Sequence, residues 1–223
     1  MKGIPVIAID GPSASGKGTL ASRVAQTLGY HYLDSGALYR LTALWIQRQG
    51  LTAESHENDL ARQAACLPAC FVGDQVLLDG RSVTEEMRSE ACGMMASHIS
   101  VFPALRAALL DRQRQYRQWP GLVADGRDMG SVVFPDAVVK VFLTAGVDVR
   151  AKRRYNQLIA KGNHVKMEKV LQDLLNRDEQ DRTRQASPLD STGYQELDTT
   201  ALTIDEGVAA VLGWCRMALG GTT

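Results

Sequence analysis

A glycine-rich segment near the start of the chain separates an apolar run from an amphipathic one, and it constrains the fold more than any other feature. The apolar run, Val6 to Ile9, predicts a buried parallel strand. Gly29 is placed to end the helix that follows the glycine-rich segment. That helix has one apolar face, formed by Leu20, Ala21, Val24, Ala25 and Leu28. A strand, a loop and a helix in this order predict an α/β fold.

The glycine-rich segment has the G-x-x-x-x-G-K spacing of a P-loop. Its glycines let backbone N–H groups curl around a phosphate, and the helix N-terminus adds a partial positive charge. Lys17 would then reach the β- and γ-phosphates of ATP. A flexible turn of glycine and serine is the alternative, but the position directly between strand and helix favours the P-loop. The predicted ATP-binding residues are Gly11, Pro12, Ser13, Ala14, Ser15, Gly16, Lys17, Gly18 and Thr19.

Two oxygen-bearing residues are candidate ligands for the Mg²⁺ that accompanies ATP. Gly18 occupies the place of the usual serine or threonine, and the hydroxyl comes one residue later, so direct ligation by Thr19 is left open. Asp125 ends a predicted strand, Leu122 to Ala124, where a carboxylate could orient Mg²⁺ directly or through water. A turn or helix-capping aspartate is the alternative for Asp125.

The rest of the chain alternates between strand and helix patterns, which predicts a parallel sheet covered by helices on both faces. Between 69 and 83 the pattern changes to short strands broken by Gly73-Asp74 and Asp79-Gly80, and the second break is a strong hairpin signal. We therefore predict a core of 1–54 and 101–223 with an insertion at 55–100. The other predicted strands are 31–33, 138–143 and 197–199, and the other helices are 37–49, 55–66, 103 to about 119, 147–161, 167–185 and one that starts with a Thr203 and Glu206 capping box.

Composition limits the kinds of partner that the chain can have. Acidic and basic residues number 25 each, so the whole protein exerts no general attraction on nucleic acid or membrane. We expect no leader, because Met1 to Ile9 is too short and lacks the organisation of one. No apolar stretch approaches membrane-spanning length, and the four cysteines show no metal-binding spacing. We expect a cytoplasmic monomer with reduced, mostly buried thiols that binds nucleotides and neither nucleic acid nor membrane.

Three motifs together resemble the bacterial cytidylate kinases. They are Gly11 to Thr19, Leu33 to Arg40, and Asp125 to Gly130. The resemblance extends through nearly the whole chain and includes Phe134 to Ala137. It implies a P-loop NTPase-type fold in which 55–100 binds the nucleoside monophosphate and about 150–167 forms a short lid. It also implies transfer of the γ-phosphoryl group of ATP to CMP or dCMP, giving CDP or dCDP and ADP.

The resemblance assigns several residues to the acceptor phosphate and the base. Arg40 and Arg127 would hold the phosphate, because guanidinium groups match its oxygens. Ser35 would assist, and it could equally cap a helix, with both roles compatible. The cytosine base would be read by Ser97, Arg106 and Asp128.

The chemistry of cytosine fits this last set. Cytosine has an amino donor and two acceptors, whereas uracil would place its O4 acceptor against the Asp128 carboxylate. Each of the three side chains could instead be solvated or bonded to backbone.

A second arginine-rich group lies on one predicted helix. Arg177, Asp181 and Arg184 are spaced to share a helical face, while Asp178 and Arg182 are expected to pair on another. The resemblance gives Arg177 and Asp181 the ribose end of CMP and Arg184 the phosphate. The alternative is a surface ladder of ion pairs with little energetic value.

A third group leads into the Gly162-Asn163 break, which would make a mobile lid. Arg150, Arg153 and Arg154 share a helical face, and exposed helix arginines usually only increase solubility. A lid needs positive charge over the transferred phosphoryl group, which favours a functional role for Arg153 over the other two. The predicted catalytic residues are Lys17, Arg127, Arg153 and Arg184.

Two other functions are compatible with a P-loop. One is a kinase for another small acceptor such as UMP, AMP or a sugar acid, although Asp128 and Arg106 disfavour UMP. The other is a nucleotide-dependent switch or ATPase, which would need a guanine-reading motif or a contiguous basic surface that the sequence lacks.

Overall fold

The computed structural model describes residues 3–72, 75–184 and 187–220. They form two compact units, Met1–Leu33 with Tyr116–Thr223, called the first unit below, and Asp34–Gln115, called the second unit. The predicted insertion, 55–100, lies inside the second unit, which also contains residues on both sides of it. The strands are β1 (Val6–Asp10), β2 (His31–Asp34), β3 (Ala69–Val72), β4 (Gln75–Leu78), β5 (Arg81–Ser82), β6 (Leu122–Gly126), β7 (Val139–Thr144) and β8 (Gln195–Asp198).

Eight α-helices are found in the described residues. No single one of them is long and apolar enough to cross a membrane, and one pair, bent by 106° at its break, meets the length and composition only when taken together. The helices are α1 (Lys17–Leu28), α2 (Ser35–Arg48), α3 (Glu57–Ala65), α4 (Glu90–Ile99), α5 (Pro103–Arg114), α6 (Val147–Ala160), α7 (Met167–Thr183) and α8 (Ile204–Ala218), and the bent pair is α4 and α5.

The first unit is built on a five-stranded sheet in the order β2-β6-β1-β7-β8. β1 runs parallel to β6 and β7, and β8 runs parallel to β7. Every residue of β1 is buried, as expected for a central parallel strand. The core on one side of the sheet includes the predicted apolar face of α1 and residues of α8. These features confirm the predicted α/β fold with a parallel sheet.

The second unit combines helices with a small antiparallel sheet in the order β3-β4-β5. The β4–β5 turn contains Asp79 at φ 51° and Gly80 at φ 71°, the paired positive φ values of a tight hairpin turn. The Asp79-Gly80 prediction is therefore confirmed. The Gly73-Asp74 break lies outside the described residues.

Two local predictions are wrong. The helix that starts at Pro103 ends at Arg114, not near residue 119, and the chain from Tyr116 belongs to the first unit. There Arg117 donates to the Ile4 carbonyl at 3.0 Å and to the Asp136 carboxylate, on the loop before β7, at 2.8 Å. The prediction of mostly buried thiols is also wrong, because two of the four, one before β3 and one within it, are exposed. The exposed cysteines are Cys66 and Cys70, and the buried ones are Cys92 and Cys215.

Candidate active site

The glycine-rich loop leaves the end of β1 and enters α1 in a conformation that only glycine allows at two points. Gly11 has φ 152°, and a Cβ built on it would lie 2.1 Å from the Leu143 carbonyl oxygen of β7. Gly16, the N-cap of α1, has φ 94°. The loop therefore passes directly over the edge of the sheet and presents the N-terminus of α1, as an anion-binding loop requires.

Two side chains of the loop point to an anionic ligand. Lys17 Nζ donates to the Pro12 carbonyl at 3.1 Å, so the ammonium group lies across the loop. The Ser15 hydroxyl is buried, and it has no hydrogen-bond partner among the residues that the structure describes. Buried hydroxyls are rarely left without a partner, and a phosphate oxygen is an acceptor that this one could bond.

Two arginines of α6 fix the carbonyl side of the loop. Arg150 is buried, donates from Nη1 to the Ser13 carbonyl at 3.2 Å and forms a bidentate pair with Asp178 at 3.1 and 2.7 Å. Arg153 donates from Nη1 to the Ser15 carbonyl at 3.2 Å and from Nη2 to the Thr199 carbonyl at 2.7 Å. Both side chains therefore shape the loop, including Arg150, for which the sequence favoured a functional role less than for Arg153.

The predicted pairing of Asp178 with Arg182 is wrong. Asp178 bonds the buried Arg150 of α6, while Arg182 pairs with Glu179 at 2.7 Å on the exposed face of α7. The reason is geometric and energetic. A bidentate pair that is mostly removed from water is stronger than an exposed contact within one helix.

Arg127 connects the loop to α7. Its Nη2 donates to the Ser13 hydroxyl at 2.8 Å, and its Nε donates to Asp181 Oδ2 at 2.6 Å. Arg184, which is buried, lies 3.6 Å from the other oxygen of Asp181. The structure thus brings together one loop hydroxyl and three of the predicted acceptor-binding residues.

Opposite charges shift the pKa values of this group. Burial alone would lower the pKa of Arg127, but the charge and hydrogen bond of Asp181, with the charges of Asp125 and Asp10, raise it. Burial would raise the pKa of Asp181, but Arg127, with the charge of Arg184, brings it below its ordinary value. Both groups are therefore charged near neutral pH.

Two aspartates on or directly after β6 complete this region. Asp125, which is 4% exposed, accepts a hydrogen bond of 2.6 Å from the Tyr32 hydroxyl at Oδ1. Asp128, which is 5% exposed, precedes a π-helical turn, Met129–Val133. Its backbone carbonyl accepts hydrogen bonds from the Val132 and Val133 amides, at 2.9 and 3.1 Å.

The predicted residues in and directly after α7 are turned away from solvent. Arg177 and Asp181 are partly buried on α7, whereas Arg182 and its neighbour Thr183 are exposed. Arg184 is buried too, but it follows the last residue of α7 and has an extended backbone, so the helical i, i+7 spacing does not place it.

In the second unit, Ser35 and Arg40 lie on α2. Asp34, not Ser35, caps this helix, because its Oδ1 accepts from the Ala37 amide at 2.9 Å. The alternative role of Ser35 as the cap is therefore wrong, and its hydroxyl donates instead to Gln113 Oε1 at 2.8 Å. Arg40 donates from Nη1 to the carbonyls of Met87 at 3.0 Å and Ser89 at 3.2 Å.

Ser97 and Arg106 approach the same short connection between α4 and α5. The Ser100 hydroxyl donates to the Ser97 carbonyl at 2.8 Å, and Arg106 Nη1 donates to the Ser100 carbonyl at 3.1 Å. The Arg106 guanidinium also lies 5.8 Å from the centre of the Tyr39 ring, in a cation–π arrangement. These contacts hold Arg106 in one orientation.

Three polar residues that hold predicted site residues or the segment next to them were missed from sequence. Gln113 holds Ser35, Tyr32 holds Asp125, and Asp10 accepts hydrogen bonds from the turn after Asp128. Asp10 carried the one usable signal, since it is a charged residue that ends an otherwise apolar strand directly before the loop. The other two show no local pattern.

The sheet order, the loop conformation and the lysine across it define a P-loop kinase. The family model for cytidylate kinase matches residues 7–216. The chain belongs to the cytidylate kinase family.

Curated relatives agree over almost the full length. Cytidylate kinase from Polynucleobacter asymbioticus is 52% identical over 220 residues, covering 98% of this chain and 100% of that protein. Cytidylate kinase from Neisseria gonorrhoeae is 53% identical over 212 residues, covering 95% of this chain and 97% of that protein. Among solved structures, a gluconokinase from Sinorhizobium meliloti 1021 aligns over 97% of this chain and 94% of its own, with 18% identity and a TM-score of 0.49, too weak a likeness to bear on substrate.

Proposed function

We infer that this chain transfers the γ-phosphoryl group of ATP to the phosphate of CMP or dCMP, giving ADP and CDP or dCDP. Membership of the cytidylate kinase family supports the reaction. The structural observation that best supports it is the position of Arg127, which bonds both the Ser13 hydroxyl of the P-loop and the Asp181 carboxylate. An arginine placed there can hold an acceptor phosphate next to the donor phosphates.

The donor is bound by the loop. Backbone N–H groups from Ser13 to Thr19 bind the β- and γ-phosphates, and the buried Ser15 hydroxyl donates to one of their oxygens. Lys17 gives up its contact with the Pro12 carbonyl and binds the transferred group. Because Arg150 and Arg153 hold the Ser13 and Ser15 carbonyls, these two peptide groups of the loop are fixed before the phosphates bind.

Each proposed acceptor-binding residue is assigned by its own chemistry. Arg127 and Arg184 bind the CMP phosphate, and their shared partner Asp181 accepts from a ribose hydroxyl with Arg177 beside it. Asp128 accepts from the cytosine amino group. The second unit contributes Ser35, Arg40, Ser97 and Arg106.

Arg40 and Arg106 are suited to this because their guanidinium groups are already fixed. Each donates from Nη1 to a backbone carbonyl, so the plane of its five N–H donors is set before a phosphate or a base binds. Preorganised donors lose less side-chain entropy when the ligand binds.

Mg²⁺ fits the oxygen groups near the loop. Asp125 is a buried carboxylate beside β1, at the strand end from which the loop starts, and Thr19 offers an exposed hydroxyl in the first turn of α1. Kinases usually bind Mg²⁺ through one or two carboxylates together with substrate phosphates and water, so a larger acidic cluster is not required. Tyr32 fixes Asp125, which we propose orients the ion directly or through water. When bound, Mg²⁺ would neutralise charge on the phosphates.

Catalysis requires no covalent intermediate with the protein. The acceptor phosphate oxygen attacks the γ-phosphorus in line with the leaving oxygen of ADP, while Lys17, Arg127, Arg153 and Arg184 stabilise the charge on the transferred group. The lid at about 150–167 and the insertion at 55–100 exclude water, which would otherwise compete as acceptor. We also propose that the protein is cytoplasmic and that it is a monomer, and light scattering on the purified chain tests the second of these.

A coupled assay of ADP release tests the acceptor. CMP, dCMP, UMP, AMP and GMP are offered in turn with ATP and Mg²⁺, and CMP and dCMP should give the highest kcat/KM. Turnover of UMP or AMP far above that of CMP would contradict the acceptor assignment, although a P-loop kinase would remain. ATP hydrolysis without phosphorylation of any acceptor would contradict the kinase assignment itself.

A further inference from the structure

Asp10 is a fully buried carboxylate at the end of β1, directly before the first glycine of the loop. It accepts three hydrogen bonds, from the Met129 amide to Oδ1 at 2.9 Å, from the Gly130 amide to Oδ2 at 2.9 Å, and from the Tyr194 hydroxyl to Oδ2 at 2.7 Å. A buried carboxylate is expensive unless it is bonded in this way. All three contacts are donors, which suits an acceptor-only group.

Two of these donors belong to the turn that follows the acceptor-binding residues. The π-helical turn starts at Met129, immediately after Arg127 and Asp128. It is closed from the other side by the Asp128 carbonyl, which accepts from Val132 and Val133. The carboxylate of Asp10 therefore joins the strand that leads into the donor loop to the segment that carries the base-reading aspartate.

The Asp10 carboxylate is held at a cost. Burial raises the pKa of Asp10 above its ordinary value, and the nearby charge of Asp128 acts in the same direction, while the three hydrogen bonds oppose the shift only in part. An apolar side chain would avoid this penalty. A role beyond stability would explain why a carboxylate is found there.

We propose that Asp10 is a positioning residue that fixes Arg127 and Asp128 against the donor loop and thereby sets the preference for cytosine over uracil. This inference rests on the proposed function of Asp128 in reading the base. It follows from the two backbone hydrogen bonds, because they fix the peptide groups directly after Asp128. A shift of the turn would move the Asp128 carboxylate away from the cytosine amino group, and a small misplacement in a binding site has a large effect on rate.

Asparagine is the most informative substitution at this position, because it changes the hydrogen bonding far more than the shape. It has nearly the same shape, but one of its two polar atoms is an NH₂ group. In one orientation that NH₂ group faces the Met129 amide, and in the other it faces the Gly130 amide and the Tyr194 hydroxyl. Asp10→Asn must therefore leave a donor facing a donor, and the turn has to move.

Tyr194→Phe provides a milder variant that perturbs the same carboxylate. It removes the hydroxyl, which bonds Asp10 and the Ser131 side chain of the same turn, and keeps both backbone contacts of Asp10. The ring also stays, edge-on against Phe142 with the ring centres 6.2 Å apart. Val211→Ala is the control for simple loss of stability, because Val211 is fully buried in α8 and belongs to no proposed site.

The test compares kcat/KM for CMP and for UMP, KM for ATP and the melting temperature in the full chain and these variants. Asp10→Asn should lower the CMP-to-UMP ratio of kcat/KM by about tenfold and change KM for ATP by less than about threefold. Tyr194→Phe should lower the ratio by about threefold. Val211→Ala should lower the melting temperature and leave the ratio unchanged.

An unchanged CMP-to-UMP ratio of kcat/KM in Asp10→Asn would overturn the inference and leave Asp10 with a structural role only. If Asp10→Asn does not fold, an unchanged ratio in Tyr194→Phe overturns it instead. Asp128→Ala separates this failure from failure of the proposed function. If the wild-type chain shows no preference for CMP over UMP, the proposed function of Asp128 in reading the base is refuted. If Asp128→Ala loses the preference while Asp10→Asn and Tyr194→Phe keep it, only the role of Asp10 is refuted.

Discussion

Replacing Gly93 with alanine should displace the Arg40 guanidinium without removing its charge. Gly93 is buried in α4, and a Cβ built on it would lie 2.8 Å from Nη2, 2.9 Å from Nη1 and 3.1 Å from Cζ of Arg40. Because comfortable contacts are about 3.5 Å or longer, the guanidinium has to move by roughly 0.5 Å or more. Its hydrogen bonds to the Met87 and Ser89 carbonyls would lengthen with it.

Stability and activity should respond differently to this change. Alanine in a helix is favoured over glycine by about 1 kcal/mol, which offsets part of the loss from weakened hydrogen bonds of about 1.5–3 kcal/mol each. The free energy of unfolding should therefore change by less than about 2 kcal/mol. Misplacing a phosphate-binding guanidinium should raise KM for CMP by about tenfold or more and leave KM for ATP within about twofold.

Gly213→Ala is the matched control. Gly213 lies inside α8, and the closest atom to its Cβ would be Arg216 Nη2 at an ordinary 3.9 Å. Steady-state kinetics with CMP and ATP as varied substrates, with urea unfolding of each variant, measure both effects. Equal KM values for CMP in the Gly93→Ala and Gly213→Ala variants would refute the proposal that Arg40 binds the acceptor phosphate.

Three further changes test the first unit. Lys17→Met should lower kcat by at least about 100-fold in single-turnover assays, because it removes a charge on the transferred group, and a smaller loss would exclude that role. Asp128→Ala should lower the preference for CMP over UMP by about tenfold or more, with little loss of folding, and an unchanged preference would remove Asp128 from the base site. For Asp181, burial raises the pKa but Arg127 brings it below its ordinary value, so its contribution to stability is complete above the unfolded-state pKa and is lost as the pH falls through the folded-state pKa. The difference in unfolding free energy between wild type and Asp181→Asn should therefore be constant at neutral pH and shrink below about pH 4, and a pH-independent difference would contradict the Arg127–Asp181 pair.

Features with local causes could be predicted from sequence. Thr203 and Glu206 form the predicted capping box, with the Thr203 side chain bonded to the Glu206 amide and the Glu206 side chain bonded to the Thr203 amide. Gly29 ends α1 in a left-handed conformation, as its position indicated. Each of these depends on residues a few positions apart, so the spacing alone contains the required information.

Features with distant partners could not be predicted. The i, i+4 rule paired Asp178 with Arg182, but Asp178 is bound by Arg150, which lies 28 residues earlier on another helix. Asp10 is bonded to amides about 120 residues later. No single-sequence pattern encodes such contacts, because they depend on how the sheet and its helices assemble.

Transfer of labelled phosphate tests the central claim most directly. The purified chain is incubated with CMP, Mg²⁺ and ATP labelled at the γ-phosphate, and the products are separated and identified. The label should appear in CDP as its terminal phosphate, with little in inorganic phosphate, and Lys17→Met should abolish it. Label released as inorganic phosphate while CMP stays unchanged would contradict phosphoryl transfer to CMP.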